Sequence, residues 1–519
     1  MSDAIPTIVV IGGGIAGLAA AWDLSRGTPT CRVVLIEVSE RLGGKISTGT
    51  IGEMPVEGGP DSFLARVPAA TDLVREVGLG DELVAPGSGH AYLWSRRALR
   101  ALPTGLVLGL PSDLGALRRS RVLGRGATAR AALDLLLPGR PLDSDADVSV
   151  GHLVRRRMGR GVQLGLVDPL LGGINAGHTD DLSAAVAAPQ ILAAARRSAS
   201  LIRGLRAAGT SGTASGAVTG GGAGEAGAAA PVFLTVRGGL GRLVDALAAG
   251  IASGGAESGP VVSGPVVSGP VVSGPVVTNA VVTGDGVAAI DRAAGGWSVR
   301  LGSGRRIDAA AVVLACPPVA SATLLEPLSP ATAATLRSIT TASVALTVLS
   351  YPAGALPAPV TGSGFLVPRP EGRLMTAASW VATKWPHLAR PDRFTIRASA
   401  GRVDDRRAEH LDDYELINRI HAELADAMGL RARPLDGQVH RWPDAFPQFA
   451  PGHLDRIAEA ERRLATDAPG LVLAGAALRG VGIATCIAGA RAAAAAAARA
   501  VTAASSERAP APPGRITPG

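Results

Sequence analysis

The chain has 519 residues, of which 47% are hydrophobic, and this length predicts two or more domains because single hydrophobic cores stop growing at roughly 250–300 residues. The formal net charge is +8, but nearly all 51 basic residues are arginine, which indicates a GC-rich gene more than a nucleic-acid-binding surface. No segment has the pattern of a nucleic-acid-binding module, so we exclude that class of protein.

The cysteines and the N-terminus favour a cytoplasmic protein. Cys31, Cys316 and Cys486 lack metal-ligand or C-x-x-C spacing, which predicts buried thiols in a reducing compartment and no metal site. The first predicted strand begins too close to Met1 for a signal peptide to precede it, and no apolar run has the length of a membrane span. Peripheral contact with the inner face of the cell membrane stays open.

The first predicted element is an apolar strand at 8–11 that leads into a glycine turn and an alanine-rich helix. Gly12, Gly14 and Gly17 have the G-x-G-x-x-G spacing of dinucleotide-binding turns. The first glycine allows a tight turn, the second lets the backbone approach a pyrophosphate, and the third lets the helix pack on the strand. Free N–H groups at the helix start then favour the negative charge. The alternative is a glycine turn in an unrelated α/β protein.

A second apolar strand, at 31–36, ends at Glu37, about 20 residues after the glycine turn, where an acidic side chain binds a ribose hydroxyl. A carboxylate here would repel the 2′-phosphate of NADP. Further glycine turns follow at 41–45 and 57–63. Several turns that close on one ligand favour the long cofactor FAD over a dissociable nicotinamide cofactor, although each turn taken alone could be an ordinary surface turn.

The middle of the chain predicts helices over most of 72–206, with arginines concentrated between Arg96 and Arg140. The apolar segment 102–110 lies among these arginines, a combination typical of a helix on an anionic membrane. A wall of a substrate domain with a basic edge is the alternative. The arginines favour acidic substrates or an anionic membrane surface as partners.

Two low-complexity segments interrupt the pattern. Residues 207–231 are rich in small residues and predict a flexible loop, and Gly-Pro-Val-Val-Ser repeats at 259–278 indicate an insertion. Strands are predicted at 287–290, 297–301, 307–315, 343–350, 364–368, 378–380 and 395–397, and helices at 412–428 and 454–464. The later strands predict a sheet that carries a substrate pocket.

A second strand, glycine turn and helix lie near the C-terminus. The strand is predicted at 470–475, the turn at 480–483, and a long alanine-rich helix follows, before a tail at 504–519 that we expect to be disordered. A nucleotide-binding domain built from both ends of the chain would need this second unit.

Together these motifs resemble the FAD-dependent amine-oxidase and phytoene-desaturase superfamily, and within it the protoporphyrinogen and coproporphyrinogen III oxidase family, in its bacterial coproporphyrin-forming branch. The segments that carry the resemblance are 12–17, 37, 41–45, 59–63, 168–177, 364–368, 380–387, 441–448, 452–453 and 475–483. Asn175, His178 and Thr485 depart from the family pattern, which has tyrosine, aspartate and aspartate at these places.

The resemblance implies an α/β fold in three parts. A Rossmann-like FAD-binding domain would combine the discontinuous segments 1–70, 232–320 and 438–503. A helical domain at 71–206 would touch the membrane, as it does in some members, and a mixed-sheet substrate domain would cover 321–437.

The resemblance also implies the reaction, a six-electron, oxygen-dependent oxidation of coproporphyrinogen III to coproporphyrin III with release of hydrogen peroxide, in haem biosynthesis. The chemistry would centre on the flavin, so no catalytic side chain is assigned. Protoporphyrinogen IX is the alternative substrate. An amine oxidase or carotenoid desaturase is less favoured, because three tyrosines and six phenylalanines are few for an aromatic amine pocket. A non-enzymatic FAD-binding protein is a further alternative, and a ferrochelatase-type enzyme is a candidate partner for hand-over of the product.

The site residues implied by the pattern and the resemblance fall into two groups. Those expected to bind FAD are Gly12, Gly13, Gly14, Ile15, Ala16, Gly17, Glu37, Arg41, Gly43, Gly44, Lys45, Gly59, Pro60, Asp61, Ser62, Val287, Trp442, Gly475, Val481, Gly482 and Ile483. Those expected to bind the substrate propionates are Arg66, Lys384 and Arg397, because an arginine fork suits a carboxylate. Trp442 could instead be a core anchor, and we expect His453 to be a buried, hydrogen-bonded histidine more than a proton carrier.

Overall fold

The computed structural model describes residues 5–27, 31–137, 139–210, 231–253 and 279–508. Most of the predicted loop at 207–231 and all of the repeat segment at 259–278 lie outside the described residues, as does the tail from 509 onward. The described residues form a parallel sheet with helices, a seven-stranded mixed sheet and a helical region. This arrangement confirms the predicted α/β class.

A five-stranded, all-parallel sheet joins both ends of the chain. Its strands, in spatial order, are Ala280–Val282, Arg32–Ile36, Thr7–Ile11, Ala311–Leu314 and Leu471–Leu473. The central strand Thr7–Ile11 is buried on both faces, as the unbroken apolar run at 8–11 predicts. A sheet built from strands this far apart in sequence confirms the expected discontinuous nucleotide-binding domain.

Each face of the parallel sheet carries its own apolar core. One face packs against the helices Ile15–Arg26, Pro68–Glu76, Gly241–Ala252 and Ile483–Arg508. The other face packs against the helices Pro318–Leu325, Pro330–Arg337 and His453–Asp467 and the antiparallel strands Val287–Ala293, Gly296–Leu301 and Arg306–Ala309. The last helix ends at Arg508, so the predicted disordered tail does not begin at 504.

A seven-stranded mixed sheet forms the second layer. Its strands, in spatial order, are Asp436–Pro447, Thr341–Pro352, Arg393–Ala400, Met375–Trp380, Gly364–Leu366, Tyr92–Ser95 and Ala98–Ala101. The helix Asp413–Met428 covers one face, and Asp412 begins it with a capping box to Glu415. The first strand crosses the predicted domain boundary between 437 and 438, and the last two come from the segment predicted as helical.

The helical region contains short helices and a distinct apolar core. Its helices are Leu114–Ser120, Arg125–Ala132, Val150–Met158, Arg160–Val162, Gly173–Asn175, Ala184–Ala187, Pro189–Arg197 and Leu201–Thr210, with a π-helix at Gln163–Gly172. Ala476–Arg479 and Val381–Lys384 are further short helices elsewhere. Short 3-10 helices lie at Gly80–Glu82, Leu133–Leu135, Ala353–Ala355, Arg369–Glu371, Pro386–Leu388 and Arg407–His410. Short strands pair at Thr48–Ile51 with Met54–Glu57, and at Phe63–Leu64 with Phe233–Val236 and Leu83–Val84.

The prediction of a membrane-lying helix at 102–110 is wrong. This segment forms the strand pair Leu106–Val107 and Leu110–Pro111, and Leu106 and Leu110 are fully buried in the core of the helical region. The apolar side chains therefore form an internal wall, as the alternative interpretation expected. Among the residues described, no helix combines the length and apolarity needed to cross a bilayer.

Candidate functional site

Two glycine-rich turns and the segment 315–318 converge at one edge of the parallel sheet. The strands Thr7–Ile11, Ala311–Leu314 and Leu471–Leu473 are parallel neighbours, so the segments after them meet at their shared carboxyl edge. A Cβ at Gly12 would lie 2.9 Å from the Ala315 carbonyl carbon, and one at Gly475 would lie 3.9 Å from the Ala315 oxygen. The edge therefore brings together turns that are over 450 residues apart in the chain.

The first turn has the close packing that the glycine spacing predicts. A Cβ at Gly17 would lie only 1.8 Å from the Gly12 carbonyl oxygen, so the helix Ile15–Arg26 rests directly on the turn. A Cβ at Gly14 would meet nothing nearer than the Gly44 Cα at 3.9 Å. No side chain caps this helix and its first turn holds no acidic residue, which leaves its N–H groups open to an anion.

The second glycine turn lies against the first and presents a cation. The Gly43 N–H donates to the Gly13 oxygen at 2.8 Å, and Arg41 binds only backbone oxygens of its own turn among the hydrogen bonds of the described residues. The Lys45 side chain reaches solvent, but protein atoms surround the rest of it. This partial burial lowers the pKa of Lys45. Lys45 also lies near Cys486 at the start of the last helix, and it has no carboxylate partner in the described part of the chain. A cation between two helix N-termini fits a pyrophosphate.

Glu37, directly after its strand, is held by hydrogen bonds from the first glycine turn and from Ser39. Its Oε2 accepts from the Gly13 N–H at 2.7 Å, and its Oε1 accepts from the Ser39 N–H at 2.9 Å and the Ser39 hydroxyl at 2.7 Å. The next residue, Val38, is 72% exposed and lies beside the strand that begins at Val287. The sequence interpretation missed Val38, an apolar residue directly after the acid. An exposed valine next to a fixed carboxylate fits a nucleoside, with the carboxylate on the ribose.

The turn at Gly58 and Gly59, which is predicted to lie at the flavin end of the cofactor, also makes a close backbone contact. A Cβ at Gly59 would lie 1.9 Å from the Lys45 oxygen and 3.7 Å from the Trp442 ring. The Trp442 indole donates to the Gly58 oxygen at 2.7 Å and so holds the turn, while its side chain is only half-buried. Residues 475 and 481–483 enter the same edge from the C-terminal turn, where Gly482 is exposed. Direct contact of these residues with the cofactor stays a prediction.

Asp61 joins this edge to the seven-stranded sheet through a buried ion cluster. Its Oδ2 lies 2.7 Å from the Lys384 Nζ and 2.7 Å from an Arg397 nitrogen, and its Oδ1 accepts from the Ser62 hydroxyl at 3.0 Å. Burial alone would raise the pKa of Asp61, but Lys384 and Arg397 outweigh it and hold that pKa far below its usual range.

This cluster bears on the predicted propionate ligands. Lys384 and Arg397 are already paired, and Arg397 also donates to the Gly59 oxygen, so the structure gives their predicted role no support. Arg66 lies exposed beside the Gln190 side chain and has no carboxylate partner among the described residues. Arg66 is therefore the member of the three that is available to an external carboxylate.

Glu57 is a buried acid that the sequence interpretation missed, although it directly precedes the glycine pair of the turn. Its Oε1 accepts from the Leu240 N–H at 2.6 Å and its Oε2 from the Thr48 hydroxyl at 2.9 Å. Burial raises the pKa of Glu57 to about 7, although these hydrogen bonds oppose the shift. Glu57, Asp61 and Arg397 line one cavity of about 30 Å³. The turn at the flavin end therefore begins at an acid poised near neutral pH.

The segment with the family departures is held by a second ion network. Asp168, inside the π-helix, accepts from the Thr179 N–H at 3.0 Å and from Arg369 at 2.8 Å, and Arg369 donates to the Gly177 oxygen. The Asn175 side chain is buried and donates to the Leu171 oxygen at 2.8 Å. Asparagine at this place thus ties the loop to its own helix.

Comparison with known proteins assigns the family. The sequence matches the flavin containing amine oxidoreductase family over residues 15–502, and the chain belongs to that family. The chain is accordingly a flavin-dependent oxidoreductase, and the converging glycine turns, the fixed Glu37 and the open Lys45 fit the length and charge of FAD.

Two relatives and one solved structure are similar over nearly the whole chain. Coproporphyrinogen III oxidase of Bacillus subtilis is 32% identical, over 95% of this chain and 98% of the relative. Coproporphyrinogen III oxidase of Propionibacterium freudenreichii is 33% identical, over 93% and 89%. A crystal structure from Exiguobacterium, assigned as a protoporphyrinogen oxidase, is 29% identical and superposes with a TM-score of 0.79 over 96% of this chain and 99% of that chain.

Replacing Gly17 tests the first turn. We expect Gly17→Ala to weaken FAD binding by more than about tenfold, or about 1.4 kcal/mol, because the new Cβ must push the Gly12 carbonyl away. Gly489→Ala is the matched control, since a Cβ there meets nothing within 4 Å and alanine favours a helix. The measurements are bound flavin absorbance and far-UV circular dichroism. Full flavin retention by a folded Gly17→Ala protein would contradict the assignment.

Replacing Glu57 tests its burial through pH. Because the folded-state pKa lies above the usual 4.5, its stabilising contribution is complete below pH 4.5 and is lost as the pH rises through about 7. We expect Glu57→Gln, which keeps an acceptor for Leu240, to gain up to about 3 kcal/mol relative to the wild type between pH 5 and pH 8.5.

Thermal unfolding at the two pH values measures this difference for the holoprotein. The exposed Glu53→Gln is the control and should leave the difference unchanged. A Glu57→Gln protein whose melting temperature follows the wild type at both pH values would show that Glu57 does not titrate in this range.

Proposed function

We propose that this protein oxidises coproporphyrinogen III to coproporphyrin III in haem biosynthesis, with molecular oxygen as the acceptor and hydrogen peroxide as the product. The observation that supports this most is the end-to-end similarity to the Bacillus and Propionibacterium relatives, which covers more than 90% of this chain in both cases. Protoporphyrinogen IX is the second candidate substrate, favoured by the Exiguobacterium structure.

The chain's residues supply binding and orientation, while bound FAD supplies the two-electron acceptor. Lys45 and the first glycine turn would hold the pyrophosphate, and Glu37 would accept from a ribose hydroxyl. Gly59, beside Trp442, lets the backbone come close to the ring system without a side chain between them. This division of roles requires no pair of acid and base side chains.

The substrate carries propionates, and Arg66 is our candidate for one of them. It is exposed at the end of the strand Phe63–Leu64, directly after the Asp61 turn. Lys384 and Arg397 could meet a propionate only by giving up Asp61, which would leave that carboxylate buried without a partner. Their electrostatic role is therefore exerted on the turn more than on the substrate.

One assay separates the candidate reactions. Purified protein is incubated in air with coproporphyrinogen III or protoporphyrinogen IX at matched concentration, and porphyrin fluorescence and peroxide are followed. We expect faster conversion of coproporphyrinogen III, and a several-fold larger KM in Arg66→Ala with little change in kcat, because uniform substrate binding is lost. A clear preference for protoporphyrinogen IX contradicts the substrate, and turnover of an amine alone contradicts the reaction class.

We also propose peripheral contact of the helical region with an anionic membrane surface. Leu136 is 79% exposed and Leu133 42% exposed at the end of the helix that begins at Arg125, and Arg203 donates to the Leu135 oxygen beside them. Apolar side chains among arginines suit a surface that offers both acyl chains and negative charge. Hand-over of product to a ferrochelatase-type enzyme stays a prediction.

Vesicle sedimentation tests the contact. We expect binding to vesicles that contain phosphatidylglycerol, weaker binding at high salt, and a several-fold loss in Leu136→Glu. Leu454→Glu, a substitution of another exposed leucine on the nucleotide-binding domain, is the control. Equal sedimentation of wild type and Leu136→Glu would contradict this surface.

A further inference from the structure

His453 lies directly behind the C-terminal turn of the cofactor edge. It is the first residue of the helix His453–Asp467, and only 2% of it is exposed. Its Nε2 lies 3.0 Å from the Ala477 oxygen and 3.0 Å from the Leu478 oxygen. Both contacts are carbonyl acceptors, so Nε2 must carry the proton and donate to them.

The two carbonyls belong to a short segment that has a glycine at each end. The short helix Ala476–Arg479 lies between Gly475, with φ of +119°, and Gly480, with φ of +135°. Both glycines adopt backbone conformations that other residues rarely adopt, and neither has a side chain to lock the turn. The orientation of the segment therefore depends on its contacts with other elements: Ala477 and Leu478 pack in an apolar core of the parallel sheet, and the helix His453–Asp467 adds polar contacts.

The helix His453–Asp467 makes two polar contacts with this segment, one exposed and one buried. At the exposed side, Arg479 pairs with Glu461 at 2.6 Å, and exposed pairs of this kind contribute little. At the buried side, His453 holds the carbonyls of the turn, and a buried carbonyl without a donor costs about 1–3 kcal/mol. The buried contact through His453 therefore contributes more than the exposed pair of Arg479 with Glu461.

The imidazole is itself held in place. The ring of Phe449 meets it edge-on, with the centroids 4.9 Å apart and the planes at 69°. Burial lowers the pKa of His453, and the charged groups around it are Arg456 on its own helix and Asp147, which accepts from the Gly452 N–H. A fixed, neutral ring donates through one nitrogen only.

The His453 side chain also faces a cavity. A cavity of about 200 Å³ is lined by His453, Gln448, Ile457 and Arg456, among others. The Gln448 amide closes it toward the Asn175 loop, to whose oxygen it donates at 2.9 Å. The cavity is large enough for several waters, and His453 lines it whereas Ala477 and Leu478 do not.

We propose that His453 is a positioning residue that fixes the Gly475–Ile483 turn, through the Ala477 and Leu478 carbonyls, against the flavin end of bound FAD. It would act through the backbone and would not touch the reacting atoms. The inference uses the flavin cofactor and is independent of which substrate is oxidised, so failure of the porphyrinogen assay would leave it standing.

Substitutions that separate the donor from the ring test this role. In His453→Gln the side-chain nitrogen has the same number of bonds from Cβ as Nε2, so the donor is kept. In His453→Phe a ring of similar size remains without a donor, and in His453→Asn the donor is too short to reach. Glu459→Ala is the matched control, because Glu459 pairs only with Arg462 and Arg463 of the same helix among the described ion pairs.

The readouts are the Kd for FAD from titration of apoprotein, the visible spectrum of the bound flavin and its midpoint potential. We expect His453→Phe and His453→Asn to raise the Kd by about tenfold or more and to shift the spectrum and potential, while His453→Gln and Glu459→Ala stay within about threefold of the wild type. If His453→Phe fails to fold, the comparison of His453→Gln with His453→Asn decides. Wild-type flavin properties in a folded His453→Asn protein, or equal damage in His453→Gln, would overturn the proposal.

Discussion

The structure depends on the direct contact of backbone with backbone at the carboxyl edge of the parallel sheet. Gly17 rests on the Gly12 carbonyl and Gly59 rests on the Lys45 carbonyl, with less than 2 Å left for any Cβ. In both places the obstacle is a main-chain oxygen, which cannot rotate away as a flexible side chain could. Such contacts leave no room for adaptation, so the glycines fix how near the turns come to each other and to a ligand.

The second sheet is joined to this edge by charge. Asp61 pairs with Arg397 of the seven-stranded sheet and with Lys384 of the short helix Val381–Lys384, and ionised Glu57 would balance the second cation. Burying these charges costs free energy, so the cluster is not expected to add much to the stability of the fold. Its main effect is to fix the position of the Asp61 turn relative to the second sheet. The two cations and two carboxylates cancel only when all four groups are present and charged. Removing any one of them would leave a buried charge without a partner. Lys384 and Arg397 are therefore already paired in the structure, and a direct role in substrate binding stays a prediction.

The sequence correctly predicted those strands and turns that depend only on residues close together in the chain. The glycine turns, the acid at 37 and the strands at 8–11 and 297–301 follow from residue type and spacing, and the structure has strands there. The strand Asp436–Pro447 was missed because Pro443 and its charged neighbours disfavour a strand, and it is tolerated because this strand lies at the sheet edge. The pairing of Asp61 with Lys384 spans 323 residues, so no local pattern could report it.

The two lysines of the chain show how the site overrides composition. Arginine fills the other basic positions, yet Lys45 and Lys384 both lie at the cofactor edge. An ammonium is a compact point charge, whereas a guanidinium is a planar fork that needs more room and more acceptors. Lys384 gives both of its hydrogen bonds to one carboxylate, and Lys45 lies near Cys486 at the start of the last helix. In a chain biased toward arginine, lysine at these two positions fits sites that need a point charge more than a fork of donors: Lys384 meets a single carboxylate, and Lys45 is placed for a pyrophosphate.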